Sequence, residues 1–194
     1  MRLWRLRYMV IKDIDKMDVF HMTSVWLLSQ YSQCASKKVG AIIVKDNRVV
    51  SSGCNGTKTG YVNCCDYARS EGWLKEQDGI EYLKEDCRQL HREWSAKYEY
   101  HAEQNALDSA LRNNISIQGA TIFINLSPCI ECCKRLSNVG ISKIIFSESY
   151  DRTCNDWIKY LNDVGVEVEQ LPLSKLKEEI GHMVNFDSVK WDYV

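Results

Sequence analysis

A chain of 194 residues lies within the range of one domain, and 45% apolar with 26% charged residues excludes disorder, collagen-like repeats and low-complexity scaffolds. Lys and Arg number 25 against 26 Asp and Glu, so the net charge of −1 lacks the basic surplus that phosphate-backbone binding demands and a polynucleotide is not an expected partner. No apolar run approaches the roughly 18 to 20 residues of a membrane span, and the mean hydropathy is −0.35.

In chain order, residues 1–17 form an arm in which Arg2, Arg5 and Arg7 alternate with Leu3, Trp4, Leu6 and Tyr8. It lacks the apolar core and cleavage site of a signal peptide and reads as a short strand or docking arm. Apolar spacing predicts a first helix over 19–28 with Asp18 as N-cap. Residues 39–44 and 48–52 flank the turn pair Asp46-Asn47 and predict a hairpin. The Gly, Asn and Thr content of 53–60 marks a loop, and the polar, charged stretch of about 66–100 reads as an insertion, helical in part. A regular alternation follows: helix 101–113, strand 120–124, a helix starting near Pro128, strand 143–146, helix 155–163 and strand 166–168. Such alternation predicts parallel pairing. The main domain is expected over 18–170, with 171–194 an exposed terminal helix or tail carrying Lys175, Lys177, Glu178 and Glu179.

Nine cysteines stand out: Cys34, Cys54, Cys64, Cys65, Cys87, Cys129, Cys132, Cys133 and Cys154. In a chain too long to need disulfide staples they point to metal binding or burial in a reducing compartment, with the cytoplasm expected. His101-Ala102-Glu103 and Pro128-Cys129-Ile130-Glu131-Cys132 carry the strongest signal. A Cys-x-x-Cys pair at a helix start lets two thiolates reach one zinc ion, and one His completes three ligands. The fourth position then stays open for water, which is the arrangement of a catalytic site. Helix N-termini favour thiolate over thiol. Zinc can lower the pKa of bound water to about 7, and Glu103 stands near enough to move protons without being a ligand. Taken singly, His101 reads as an ordinary histidine and the Cys pair as a redox pair or half a zinc ribbon; together they read as a catalytic centre. Cys133 is expected in the core.

The pattern H-x-E followed by P-C-x-x-C resembles the zinc nucleobase deaminases. Further residues narrow the resemblance to the deoxycytidylate (dCMP) deaminases of bacteriophage type: Lys38-Val39-Gly40-Ala41, Gly53-x-Asn55-Gly56, Val62-Asn63-Cys64-Cys65-Asp66-Tyr67-Ala68, His91-x-Glu93-Trp94, and Leu126-Ser127 before Pro128. It spans roughly residues 24–168. The resemblance implies an α/β fold, a three-layer α/β/α sandwich around a five-stranded mixed sheet, and hydrolysis of dCMP to dUMP and ammonia. Activated water would attack C4 of the cytosine while Glu103 protonates N3 and then the departing amino group. By the same resemblance Asn55 would touch the deoxyribose and Tyr150 would close the base pocket. A second, structural zinc would be held by Cys34, Cys64, His91 and Glu99, with Cys65 the substitute if Cys64 faces away.

The resemblance also implies an allosteric homo-hexamer, activated by dCTP with a divalent cation such as Mg²⁺ and inhibited by dTTP. Gly53, Asn55, Gly56 and Asn63 would form the nucleotide loop and Arg112 would communicate with it. The chain departs from the family pattern at Ile130, where relatives often carry proline, and in the loop Thr57-Lys58-Thr59-Gly60-Tyr61. The arm has no counterpart. Three other readings stay open at this point: a tRNA-adenosine deaminase, a competence-type or pterin-pathway deaminase, and a non-catalytic zinc-stapled binding module. Glu103 argues against the last, because a structural zinc needs no carboxylate beside it.

Overall fold

The computed structural model describes residues 9–10, 14–150 and 156–183. It opens with β1 (Met9–Val10), α1 (Lys16–Ser29), β2 (Gly40–Lys45), β3 (Arg48–Cys54) and the short β4 (Gly56–Thr57). The insertion holds α2 (Cys64–Ser70), β5 (Leu74–Gln77), β6 (Ile80–Leu83), a 3-10 turn at Glu85–Cys87 and α3 (Arg88–Tyr98). Then come β7 (Glu99–Tyr100), α4 (Ala102–Arg112), β8 (Thr121–Leu126), α5 (Ile130–Asn138), β9 (Lys143–Glu148), α6 (Asp156–Asp163), β10 (Glu167–Gln170) and α7 (Leu173–Met183).

The main sheet runs β1-β10-β9-β8-β2-β3. Strands β8, β9 and β10 are parallel, and β2 is antiparallel to both β3 and β8. This is the expected five-stranded mixed sheet, extended at one edge by two residues of the arm that pair in parallel with β10. Residues 1–8 and 11–13 of the arm lie outside the described residues, and its last residues already belong to α1 and its cap.

Strand sequences that are apolar at every position require cover on both faces, and alternation assigns each side chain to a layer. Ala41, Ile43, Ile122, Ile124, Ile144 and Phe146 face a core with Ala102 and Ala106 of α4, Cys133 and Leu136 of α5, and Trp157, Ile158 and Leu161 of α6. Ile42, Val44, Phe123 and Ile145 face the opposite core with Val19, Met22 and Val25 of α1 and Leu176 of α7. Helices therefore cover both faces, the expected three layers, with Cys133 in the core. Each such buried aliphatic or aromatic side chain contributes roughly 1.5–3 kcal/mol relative to exposure.

Local chemistry sets the element ends. The hairpin turn is built from Asp46 and Asn47, at φ 52° and 58°. Two consecutive left-handed residues are what a two-residue turn between right-twisted strands requires. The first helix starts earlier than expected: Asp15, not Asp18, is the N-cap, its Oδ1 accepting from the Met17 N–H at 2.9 Å. Asp18 instead sits in the first turn, where a carboxylate suits the helix dipole. The helix expected near Pro128 begins at Ile130 with Cys129 as N-cap, so Pro128 precedes the helix rather than occupying its first turn. The terminal helix is not an exposed tail. Leu171 and Leu176 are fully buried, and Leu173 and Ile180 pack into the α1 core.

The stretch read as a loop from Gly53 also differs. Strand β3 continues to Cys54, and β4 pairs antiparallel with β7, Gly56 opposite Tyr100 and Thr57 opposite Glu99. Gly53 is a contact point with α4: a Cβ there would lie 2.5 Å from Ala106 N and 2.6 Å from Ala102 O. Ser51 Oγ donates to Ala106 O at 2.6 Å and Asn105 Nδ2 to Cys54 O at 2.8 Å, fixing the same helix to the same strand. Because the obstructing atoms are backbone, Gly53→Ala must push α4 off the sheet. A loss of about 1–3 kcal/mol is expected, read as a lower denaturant midpoint with unchanged slope.

Candidate metal centre and active site

The two signature segments meet at one end of the parallel strands. His101 caps α4, its backbone N–H donating to Gln104 Oε1 at 3.0 Å, and Cys129 caps α5. Strand β8 runs directly into Ser127 and Pro128. Ser127 N–H donates to Glu148 O at 2.8 Å, and its Oγ accepts from the Tyr150 N–H at 2.8 Å, so β9 braces the segment that delivers the cysteines.

His101 Nδ1 lies 3.5 Å from Cys129 Sγ and 3.4 Å from Cys132 Sγ. A tetrahedral zinc with Zn–N near 2.0–2.1 Å and Zn–S near 2.3 Å has N-to-S edges of about 3.6 Å. The donors therefore fit that ion. Among the described residues no fourth His, Cys, Asp or Glu donor joins this cluster. Cys132 is buried, Cys129 half-buried and His101 exposed, so the side away from Cys132 faces the cavity.

The electrostatics favour a cation. The Cys132 thiol, and then the His101 ring, hydrogen-bond to Cys129 and hold it down at about 4. Cys132 is pushed up because it keeps the shared proton, and His101 is raised to about 9, chiefly by its bond to Cys129. An ion accepted here displaces those protons. Glu103, in the first turn of α4, is almost wholly buried, and that burial raises its carboxyl. It lies outside the ligand cluster and lines the same cavity as His101 and Cys129. A carboxyl poised to hold a proton beside an open coordination position is the equipment of hydrolytic proton transfer.

The second expected set also comes together. Cys34, Cys64, His91 and Glu99 place one donor atom each within 4.8 Å of the others. His91 Nε2 is 3.1 Å from Cys64 Sγ and 3.7 Å from Cys34 Sγ, and Cys34 Sγ is 3.4 Å from Glu99 Oε2. Glu99 Oε2 also accepts from Ser95 Oγ at 2.5 Å, while its buried Oε1 has no partner. Hydrogen bonding from Cys64 holds Cys34 at about 4, and burial followed by the Cys34 charge raises Glu99 to about 7. An orphaned carboxylate oxygen among acidic donors fits a cation. Cys65 stays outside this cluster; Cys64 supplies the thiol. Around it Cys34, Cys64, Ala68, Trp73, Leu83 and Trp94 form a small separate core, with the Tyr67 and Trp94 rings stacked at 4.7 Å.

One cavity of about 170 Å³ joins the two clusters, lined among others by Asn55, Glu99, His101, Glu103, Cys129 and Tyr150. Asn55 is committed largely to the protein. Its Oδ1 accepts from Val39 N at 2.8 Å and Ser32 Oγ at 2.6 Å, and Nδ2 donates to Lys37 O at 2.9 Å, leaving one N–H for a ligand. Of the other residues expected in a nucleotide loop, Gly53 packs on α4, Gly56 belongs to β4, and Asn63 caps α2 through the Asp66 N–H at 2.8 Å. Arg112 is exposed in the last turn of α4, at the opposite end from His101. Sequence reasoning did not single out Ser36, Lys37, Arg88 and Arg92 as cavity-lining residues. No local pattern marks them, because the topology rather than spacing gathers them.

A three-donor cluster with a buried carboxyl on the same cavity, at the strand ends of an α/β/α sandwich, is the arrangement expected of a zinc-dependent hydrolytic enzyme. The sequence profile described as the cytidine and deoxycytidylate deaminase zinc-binding region matches residues 15–148. The chain belongs to that family. Deoxycytidylate deaminase of Enterobacteria phage T4 is 41% identical over 171 residues, 79% of this chain and 89% of that protein. The corresponding phage T2 protein is 41% identical over 165 residues, 76% and 88% of the two chains. Among solved structures, dCMP deaminase from the cyanophage S-TIM5 in complex with dCMP and dUMP superposes with a TM-score of 0.62 at 31% identity, covering 81% of this chain and 98% of that one.

Proposed function

We propose that the chain hydrolyses dCMP to dUMP and ammonia. The observation that carries this reading is the three-donor cluster of His101, Cys129 and Cys132 sharing a cavity with buried Glu103. The phage relatives named as acting on deoxycytidylate supply the substrate class. A zinc ion held by the three donors supplies the Lewis acidity that brings water toward ionisation near neutral pH. Glu103 takes one proton from that water and gives it to ring N3, then takes the second from the hydroxyl left on C4, which becomes the carbonyl, and gives it to the amino group. The water oxygen bonds to C4, the C4–N bond breaks, and ammonia leaves. Burial, which raises the Glu103 carboxyl, keeps it able to hold the proton between the two transfers. Tyr150 and Leu126 border the base, and the free N–H of Asn55 faces the sugar.

In the finer reading, Cys34, Cys64, His91 and Glu99 hold a second, structural zinc. The product dUMP feeds thymidylate synthesis in the cytoplasm of an infected host. The chain works as a homo-hexamer activated by dCTP with Mg²⁺ and inhibited by dTTP, through the loop of Gly53, Asn55, Gly56 and Asn63 with Arg112. The resemblance of Gly53-x-Asn55-Gly56 and Asn63 to the family pattern supports the regulatory part of this reading, and the meeting of the four donor atoms supports the second zinc. The test is an absorbance assay on dCMP, CMP, deoxycytidine and adenosine with and without the two triphosphates. Turnover fastest on dCMP, with a sigmoidal dependence sharpened by dTTP, is expected. Preference for adenosine would overturn the substrate assignment, and a hyperbola indifferent to both triphosphates would overturn the regulation.

A further inference from the structure

We infer that Lys37 and Arg92 form the grip for the 5′-phosphate of the substrate, and so make the enzyme select nucleotides over nucleosides. This rests on the reading of the site as a nucleotide deaminase.

Both side chains line the cavity that ends at His101, Glu103 and Cys129. They come from different elements. Lys37 lies in the loop between α1 and β2, and Arg92 lies on α3, directly after His91. The fold brings them to one rim because Cys34 Sγ and His91 Nε2 sit 3.7 Å apart, holding the loop against the helix. The loop is pinned again by Asn55 Nδ2 to Lys37 O at 2.9 Å and Asn125 Nδ2 to Lys38 O at 3.0 Å.

Charge accounting distinguishes these two cations from their neighbours. Arg88, on the same cavity wall, pairs with Glu85 at 2.5 Å, and Lys38 Nζ donates to Gln30 O at 3.4 Å. Among the described residues neither Lys37 nor Arg92 has an ion pair or side-chain hydrogen bond, and both are exposed. Charged side chains of the opposite sign in the cavity, Glu99 and Glu103, are taken up by the metal cluster and by proton transfer. What remains at the rim is net positive, with the Ser36 hydroxyl on the same wall. A guanidinium offers a two-pronged donor to phosphate and an ammonium a mobile point charge, a pairing suited to a dianionic terminus. A nucleotide has the matching polarity: a neutral base for the buried end and a dianion for the mouth.

The test measures kcat/KM of wild type, Arg92→Gln, Lys37→Gln and the double variant on dCMP and on deoxycytidine, without any triphosphate present. Lys97→Gln, on the same helix but not on the cavity wall, controls for loss of charge. Each cavity variant is expected to lose about 10- to 100-fold on dCMP while its deoxycytidine value stays within about twofold, so that discrimination between the two substrates collapses. Unchanged dCMP kinetics, equal losses on both substrates, or an effect seen only when dCTP is added would each overturn the proposal. Titration calorimetry with dUMP and deoxyuridine separates this from the functional reading. If the wild type turned over no cytosine nucleotide, that reading would fall, and the grip would still be required to weaken dUMP, and not deoxyuridine, on substitution.

Discussion

Replacing Glu103 by Ala is expected to lower kcat on dCMP by about 10²- to 10⁴-fold, the range lost when a positioned general acid–base is removed, with the metal content unchanged. The separation of the two readouts follows from the geometry. Glu103 stands outside the cluster of His101, Cys129 and Cys132, so its removal leaves all three donors in place. Among the described residues the one other carboxylate lining the cavity, Glu99, belongs to the second cluster, so Ala leaves the site without a replacement. Glu103→Gln, which keeps the volume, is expected to be as inactive as Glu103→Ala, because an amide cannot carry the proton. Initial rates paired with metal analysis on the same samples check this. Turnover within tenfold of wild type in either variant would remove Glu103 from the chemistry.

The second large effect concerns the four-donor cluster. Wild-type protein purified without chelator is expected to carry two zinc ions per chain, and His91→Ala one. With the ion gone, two thiols and a carboxylate crowd a site that the insertion closes over, and the small core of Trp73, Leu83 and Trp94 loses its anchor. A stability loss of roughly 3–5 kcal/mol is expected, or about 10 °C in the thermal midpoint. The 101–129–132 site should keep its metal. A wild-type stoichiometry of one would refute the structural zinc, as would a His91→Ala protein that melts with wild type.

Much of this architecture is legible in the sequence, for definable reasons. The alternation from α4 to β10 is carried by strong periodicity, and the two signature segments are short, local and chemically distinctive. What is not legible depends on partners distant in the chain. Asp15 and Asp18 are equally good caps by composition, and packing of Val19 and Met22 against the sheet chooses between them. Pairing of β4 with β7 joins residues more than forty positions apart, and nothing in Gly56-Thr57 announces it. The burial of α7 is hidden because Lys175, Lys177, Glu178 and Glu179 dominate its composition while Leu173, Leu176 and Ile180, at helical spacing, form the face that packs. Glycine 53 illustrates the same point differently: its type is conspicuous, but only the backbone of α4 explains it. The cavity cations are the extreme case, since an exposed Lys and Arg carry no local signature.

The short strand β7 has a consequence for anyone redesigning the molecule. Glu99 serves one cluster and His101 the other, with Tyr100 alone between them, so the two centres hang from a single crankshaft of backbone clamped against Gly56 and Thr57. Slack introduced at either end is transmitted rather than absorbed. Substitutions among Cys34, Cys64 and His91 that shift Glu99 therefore also retune the aim of the imidazole, and the two donor clusters are best treated as one engineered part.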